Sequence, residues 1–242
     1  MIRPFRPEVC FPETLEVFDE LVEFRHDLHQ HPELAFETTR TCGKIVEKLR
    51  AWGVDEIDTT TVPGAVIAVV KGNRPGKTVA LRGDIDALPM PDNSDNPWKS
   101  CEAGRCHACG HDGHTTWTLG ALYVLTRRRD FPGQVVGIFQ PAEEGSRGAY
   151  AFVRSGVLDD VDTIICAHFG LDQPPGTVYT APSKFLCTEK IDFEFIGRPS
   201  HAGMHPQTGR NALMAAANAA INLMALPRHG DGMTRVNVGN LH

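Results

Sequence analysis

Val135-Val136-Gly137-Ile138-Phe139-Gln140-Pro141-Ala142-Glu143-Glu144 decides the fold of this chain. Five residues that are apolar or glycine, too few for a helix, make a strand buried on both faces. Pro141 stops that strand, and two adjacent acids follow at its carboxyl end. Two other apolar runs break in the same way. Val79-Ala80-Leu81 leads into Asp84 and Asp86, and Ile164-Ile165 leads into His168. In open α/β sheets, sites form beyond the carboxyl ends of the strands. Acids and bases far apart in sequence are therefore expected along one sheet edge.

The segments around these strands alternate with them. Leu15, Phe18, Leu21, Val22, Arg25 and Leu28 fall at helical spacing, as do Ile45, Val46, Leu49 and Trp52 ahead of Gly53. Ala65–Val70 and Thr78–Leu81 read as strands, and the turn-rich Gly72-Asn73-Arg74-Pro75-Gly76 between them suits a hairpin. A long proline-bearing loop follows. Thr115–Arg128 reads as a helix, Gly148–Ser155 as a short helix and Thr163–Ala167 as a strand. The fold class is α/β, a mixed and mostly parallel sheet flanked by helices.

Composition narrows the function. The chain has 242 residues, 41% hydrophobic and 22% charged, enough for a real core, and a net charge of -6 without a basic run. Neither a nucleic-acid footprint nor a polybasic membrane patch is present, so the expected partner is a small molecule. No segment approaches the roughly 18 apolar residues of a spanning helix, and the opening Met1–Pro7 lacks the apolar core of a signal peptide, so a cytoplasmic location is expected. Seven cysteines, an odd and scattered set, argue against a disulfide framework.

Three of those cysteines crowd into Cys101–Cys109 beside His107, His111 and His114. A thiolate, imidazoles and the Glu143-Glu144 carboxylates are the groups that hold a divalent metal and activate water on it. Lying just before a helix, Cys109–His114 is expected to reach the strand ends from a loop. Cys106-His107-Ala108-Cys109 also fits a redox pair, but no thioredoxin-like βαβ pattern accompanies it. A structural zinc knuckle completed by His111 and His114 leaves Glu143, Glu144 and His168 unexplained. A Cys109 nucleophile lacks an oriented histidine. His26, His29 and His31, on or after the first helix, are assigned surface or packing roles.

Four motifs carry a family resemblance. Arg82-Gly83-Asp84-Ile85-Asp86-Ala87-Leu88-Pro89, His107–His114, Gln140-Pro141-Ala142-Glu143-Glu144-Gly145 and Ser200-His201-Ala202-Gly203 occur in an order similar to that of the aminoacylase/carboxypeptidase family of dinuclear metallohydrolases. Within it, the chain resembles the amidohydrolase branch of hippurate, N-acyl-amino-acid, auxin-conjugate and p-aminobenzoyl-glutamate hydrolases.

The resemblance implies a zinc-exopeptidase-like catalytic domain over residues 1–183 and the beginning of an inserted, smaller α/β dimerisation domain over 184–242. The latter is read as a strand Ile191–Ile196, a helix Asn211–Leu226 and a strand Val236–Leu241. It implies two divalent ions, zinc or manganese, with Cys109, His111, Glu144 and His168 as ligands and Glu143 as general base. Asp86 would orient the site from behind the ligands, and His201 would help bind substrate in the neighbouring protomer of a homodimer. The implied reaction is hydrolysis of an N-acyl, N-aroyl or indoleacetyl amino acid by a hydroxide shared between the metals. The family supplies a further histidine ligand beyond the inserted domain. Because the chain stops at His242, it is expected to be either a fragment of a longer protein or a truncated product with an incomplete site, with weakened binding of at least one metal and little or no turnover by itself. The alternative is a catalytically inactive or regulatory subunit of the same fold.

Overall fold

A computed structural model describes residues 10–145, 147–170, 174, 176–179, 189–227, 229, 230, 232 and 234–241. Ser146, Cys187, His242 and the expected boundary at 183/184 lie outside the described residues. The chain separates into two compact units, Met1–Thr177 and Val178–His242.

In the larger unit, helix α1 (Pro12–Gln30) begins with a proline whose fixed φ suits the first turn. It buries Val17, Leu21, Phe24 and Leu28 at alternating spacings of four and three, the stripe of an amphipathic helix. Helix α2 (Thr39–Ala51) buries Thr41, Ile45 and Leu49, each four residues after the last. Strands β1 (Glu56–Asp58), β2 (Val66–Lys71), β3 (Arg74–Asp84), β4 (Pro132–Gln140) and β5 (Thr163–Cys166) form one sheet in the order β1-β2-β4-β3-β5. β1 and β4 pair antiparallel with β2, whereas β4 and β5 pair parallel with β3, so the sheet is mixed.

The expected hairpin does not form. β4 inserts between β2 and β3, pairing antiparallel with the first and parallel with the second. The turn residues bond to the approach of β4 instead: Gly72 N–H donates to Gly133 O at 2.9 Å and Asn73 N–H to Arg129 O at 3.0 Å. A buried strand gains two ladders in that position, which a short turn between β2 and β3 cannot outweigh.

Both sheet faces are covered over β2, β4 and the carboxyl-terminal part of β3, whereas the edge strand β5 is exposed along its length. Val66, Ala68, Val70 and Phe139 pack with residues of α1, of α2 and of helix α3 (His111–Arg127), including Leu119 and Leu122. Ile67, Ala80, Val136 and Ile138 pack with Phe152 of helix α4 (Gly148–Ser155). Even and odd residues of β2 thus enter different cores, as the period-two pleat requires. Each fully buried leucine contributes about 1.5–3 kcal/mol of burial.

Helix α3 starts at His111, four residues before the expected Thr115, so the histidine cluster is its first turn and not a loop. That turn has no amphipathic signature because His111, Asp112, Gly113 and His114 are all buried. In the smaller unit, helix α5 (Ala212–Leu223) is capped by Asn211, whose Oδ1 accepts the Met214 N–H at 3.0 Å. The strands expected at Ile191–Ile196 and Val236–Leu241 are not formed. A strand is defined by its ladder, and the pairing among described residues there is a single bridge, Arg198 to Arg210.

Candidate metal centre

The parallel register sets Asp84 of β3 beside Gln140 of β4, so the two chains leave the sheet together. Asp86, two residues on, is buried, with its side chain 1% exposed. Its Oδ1 accepts the Glu143 N–H and its Oδ2 the Glu144 N–H, each at 3.0 Å. One carboxylate therefore fixes the backbone of both acids. Ala142, just before them, has φ +59, a conformation an L-residue holds only when its surroundings impose it.

The first turn of α3 closes over this edge. Gly110 has φ +89, and a Cβ there would meet Phe169 at 2.6 Å. A Cβ on Gly113 would clash with the same ring. The two glycines make room for Phe169, and its neighbour His168 is thereby set against the cluster. Cys109 Sγ lies 3.3 Å from His168 Nε2.

Hydrogen bonds assign the histidine nitrogens. His111 Nδ1–H donates to Asp86 O at 2.8 Å, leaving Nε2 facing Asp84 Oδ2 at 3.7 Å, Glu144 Oε1 at 3.7 Å and Glu143 Oε2 at 3.9 Å. That nitrogen is buried and has no hydrogen-bond partner. His168 Nδ1–H donates to Phe169 O at 2.9 Å, which turns Nε2 toward Cys109. A backbone carbonyl behind the ring is the usual way to orient an imidazole ligand. His114 differs, since Nδ1–H donates to Asp84 Oδ1 at 2.5 Å and Nε2 accepts the Phe169 N–H at 3.1 Å. Both its nitrogens are in use.

Three overlapping sets of donors, each within 4.8 Å, share His111: Cys109, His111 and His168; His111, Glu143 and Glu144; and Asp84, His111 and His114. Electrostatics at these groups is strongly biased. Burial would raise Asp84, but the His114 hydrogen bond and the Arg82 guanidinium, donating at 2.6 Å, hold it at about 2. Burial, and then the Glu144 carboxylate, push the Cys109 thiol up to about 12, and a bound cation would act in the opposite direction. A buried imidazole nitrogen without a partner, facing three carboxylates, fits a divalent ion, and thiolate, imidazole and carboxylate are the donors zinc accepts.

The structure thus brings Cys109, His111, Glu143, Glu144, His168 and Asp86 to one place. His201 belongs to the smaller unit, where its Nδ1 accepts the Gly203 and Met204 N–H groups at 3.1 and 3.0 Å. Sequence reading missed the support behind α3. His29 is buried and its Nδ1 bonds Asp112 Oδ2 at 2.8 Å, with Arg25 Nε on the same oxygen at 2.8 Å. A buried acid in the first turn of α3 demands partners. Nothing along α1 marks which of its histidines supplies one.

Comparison with known proteins bears on the same residues. The family model for peptidase family M20/M25/M40 matches residues 80–233. The indole-3-acetyl-aspartic acid hydrolase of Enterobacter agglomerans is 38% identical over 93% of this chain and 62% of its own. One of the p-aminobenzoyl-glutamate hydrolase subunits of Escherichia coli is 44% identical over 72% of this chain and 42% of its own. A dinuclear metal-binding peptidase of the M20 family from Bacillus subtilis superimposes with a TM-score of 0.63 at 40% identity, covering 65% of this chain and 45% of its own. An aminobenzoyl-glutamate utilization protein from Klebsiella pneumoniae gives 0.65 at 30% identity over 94% and 62%. The chain spans about half the length of these relatives.

Proposed function

The chain belongs to peptidase family M20/M25/M40, and from that premise we propose a metal-dependent amidohydrolase that cleaves the amide between an acyl, aroyl or indoleacetyl group and an amino acid. The observation that carries this reading is His111 Nε2, buried without a hydrogen-bond partner where Asp84, Glu143 and Glu144 converge. Cys109, His111, Glu144 and His168 would hold two divalent ions. Imidazole and thiolate suit zinc, and the carboxylate also accepts manganese. Bound there, the ions would supply Lewis acidity to the scissile carbonyl and lower the pKa of water.

The two acids divide the remaining work by exposure. Glu144 has a side chain 20% exposed and Glu143 one 43% exposed, although Asp86 holds both backbones alike. The more open Glu143 takes a proton from water at Oε2 and returns it to the leaving amine. Asp86 keeps both carboxylates in register while that proton moves.

Substrates related to indoleacetyl-aspartate and p-aminobenzoyl-glutamate, the compounds in the relatives' names, fit this chemistry. A homodimer joined through residues 184–242, with His201 reaching the partner's substrate, and a cytoplasmic location complete the reading. Among the described residues, no helix is long and apolar enough to cross a membrane.

The test is Glu143→Gln, made in the complete reading frame that encodes the chain and assayed on N-acyl, N-aroyl and indoleacetyl amino acids under zinc and under manganese. Turnover should fall by at least about a hundredfold, in line with loss of a general base, while metal content stays unchanged. Parallel loss of metal and turnover would make Glu143 a ligand and overturn the assignment.

A further inference from the structure

Behind the first turn of α3, a second set of metal-type donors stands apart from the candidate centre. A nitrogen of His29, a carboxylate oxygen of Asp92 and Cys106 Sγ lie within 4.8 Å of one another. All three are sheltered: His29 and Cys106 are buried, and the Asp92 side chain is 6% exposed. None takes part in the reaction proposed above.

Each donor is held by a different rigid segment. His29 sits near the end of α1, and its Nδ1–H donates to Asp112 Oδ2 at 2.8 Å, which leaves Nε2 as the ring nitrogen that faces Asp92 and is free to bind a metal. A carboxylate behind the ring is the arrangement that orients histidine ligands and raises their basicity. Asp92 is fixed through both oxygens, Oδ1 accepting the Ser94 N–H and Oδ2 the Ser100 N–H, each at 2.9 Å. Cys106 is pinned by paired backbone bonds with Leu88, both 3.0 Å.

The spacing discriminates between readings. His29 Nε2 stands 3.5 Å from Asp92 Oδ2, long for a charged hydrogen bond, which runs to about 2.7–2.9 Å. Zinc bonds of about 2.0–2.1 Å at the tetrahedral angle place two ligand atoms about 3.4 Å apart. Charge agrees as well. A neutral imidazole, a carboxylate and a thiolate sum to two negative charges, which one divalent ion cancels, so the filled pocket carries no net charge into a buried place. Beside it, His107 is 4% exposed with neither ring nitrogen hydrogen-bonded, its ring 6.3 Å from that of His29. The pocket is built with more polar capacity than its own contacts use.

We propose that His29, Asp92 and Cys106 form a separate site for one zinc-like divalent cation, which ties the end of α1 to the loop that carries Cys109. On binding, the Cys106 S–H bond breaks, its proton goes to solvent, and a sulfur–metal bond forms. A fourth position remains for water or an added donor.

Cobalt titration tests this without involving the candidate centre's thiolate. In a Cys109→Ser protein, cobalt should still raise a thiolate-to-metal charge-transfer band. The band should vanish in Cys109→Ser/Cys106→Ser, with helical content by circular dichroism unchanged. Asp92→Asn in the Cys109→Ser background keeps the thiol and one acceptor, and should weaken cobalt binding about tenfold or more. It gives the answer by itself if the double variant does not fold. No band in Cys109→Ser, a band that survives Cys106→Ser, or Asp92→Asn affinity equal to its parent would each overturn the site. Loss of turnover in Cys109→Ser concerns only the hydrolytic reading and leaves this result independent.

Discussion

At the scale of single residues, Asp86 is the most exacting position. Its carboxylate accepts two backbone N–H groups and faces His111 Nδ1 at 3.6 Å, all in a buried setting. Hydrogen bonds to a buried charge contribute about 1.5–3 kcal/mol each, and removing the acceptor strands two donors. Asp86→Ala should therefore destabilise the fold by about 2–4 kcal/mol in urea unfolding and abolish turnover, because Glu143 and Glu144 lose their common anchor. Retention of either property at wild-type level would contradict this role. Residue types were legible in sequence here, and partners were not. Asp86, Glu143, Glu144, Cys109, His111 and His168 all stand out as polar groups at strand ends or in a dense motif. The resemblance already singles out His111 over His114 as a ligand, but the physical reason, that Asp84 and the Phe169 N–H occupy both nitrogens of His114, rests on groups that only the fold brings near.

At the scale of elements, the contact between β3 and α3 governs where the histidines stand. A Cβ on Gly83 would meet Thr118 Oγ1 at 2.5 Å and His114 O at 2.7 Å, and the second atom is backbone that cannot swing aside. Gly83→Ala must push α3 outward, at a cost of about 1–3 kcal/mol for overpacking. His111 would move with the helix, so zinc affinity should fall along with stability when both are measured on the same preparation. Periodicity revealed the helices of the larger unit well, since Leu21, Leu28, Ile45 and Leu49 repeat on one face. It failed at the start of α3, where four buried polar or glycine residues give no apolar stripe. It failed again at the turn after β2, because local turn chemistry carries no information about a strand arriving from residues 132–140.

At the scale of the whole molecule, the larger unit has cores on both faces of its sheet that do not involve the metal donors. Metal should accordingly stabilise a fold that exists without it. Chelation is expected to lower the melting temperature while leaving far-ultraviolet circular dichroism at low temperature intact, and zinc at a hundred times its dissociation constant should add about 2.7 kcal/mol. Collapse of secondary structure on chelation would instead indicate a structural-zinc protein.

The clamp from Asp86 to Glu143 and Glu144 spans 57 and 58 positions along the chain. Chain segments so distant meet only after β3 and β4 have zipped in parallel, a slow kind of pairing because loop closure precedes any gain. On this order of events the donors are expected to gather on the native side of the folding barrier. Added zinc should leave the refolding rate in stopped-flow experiments nearly unchanged and slow unfolding, as expected for contacts absent from the transition state. What zinc would confer on this chain is persistence, a longer lifetime of the folded molecule, with no help in reaching it.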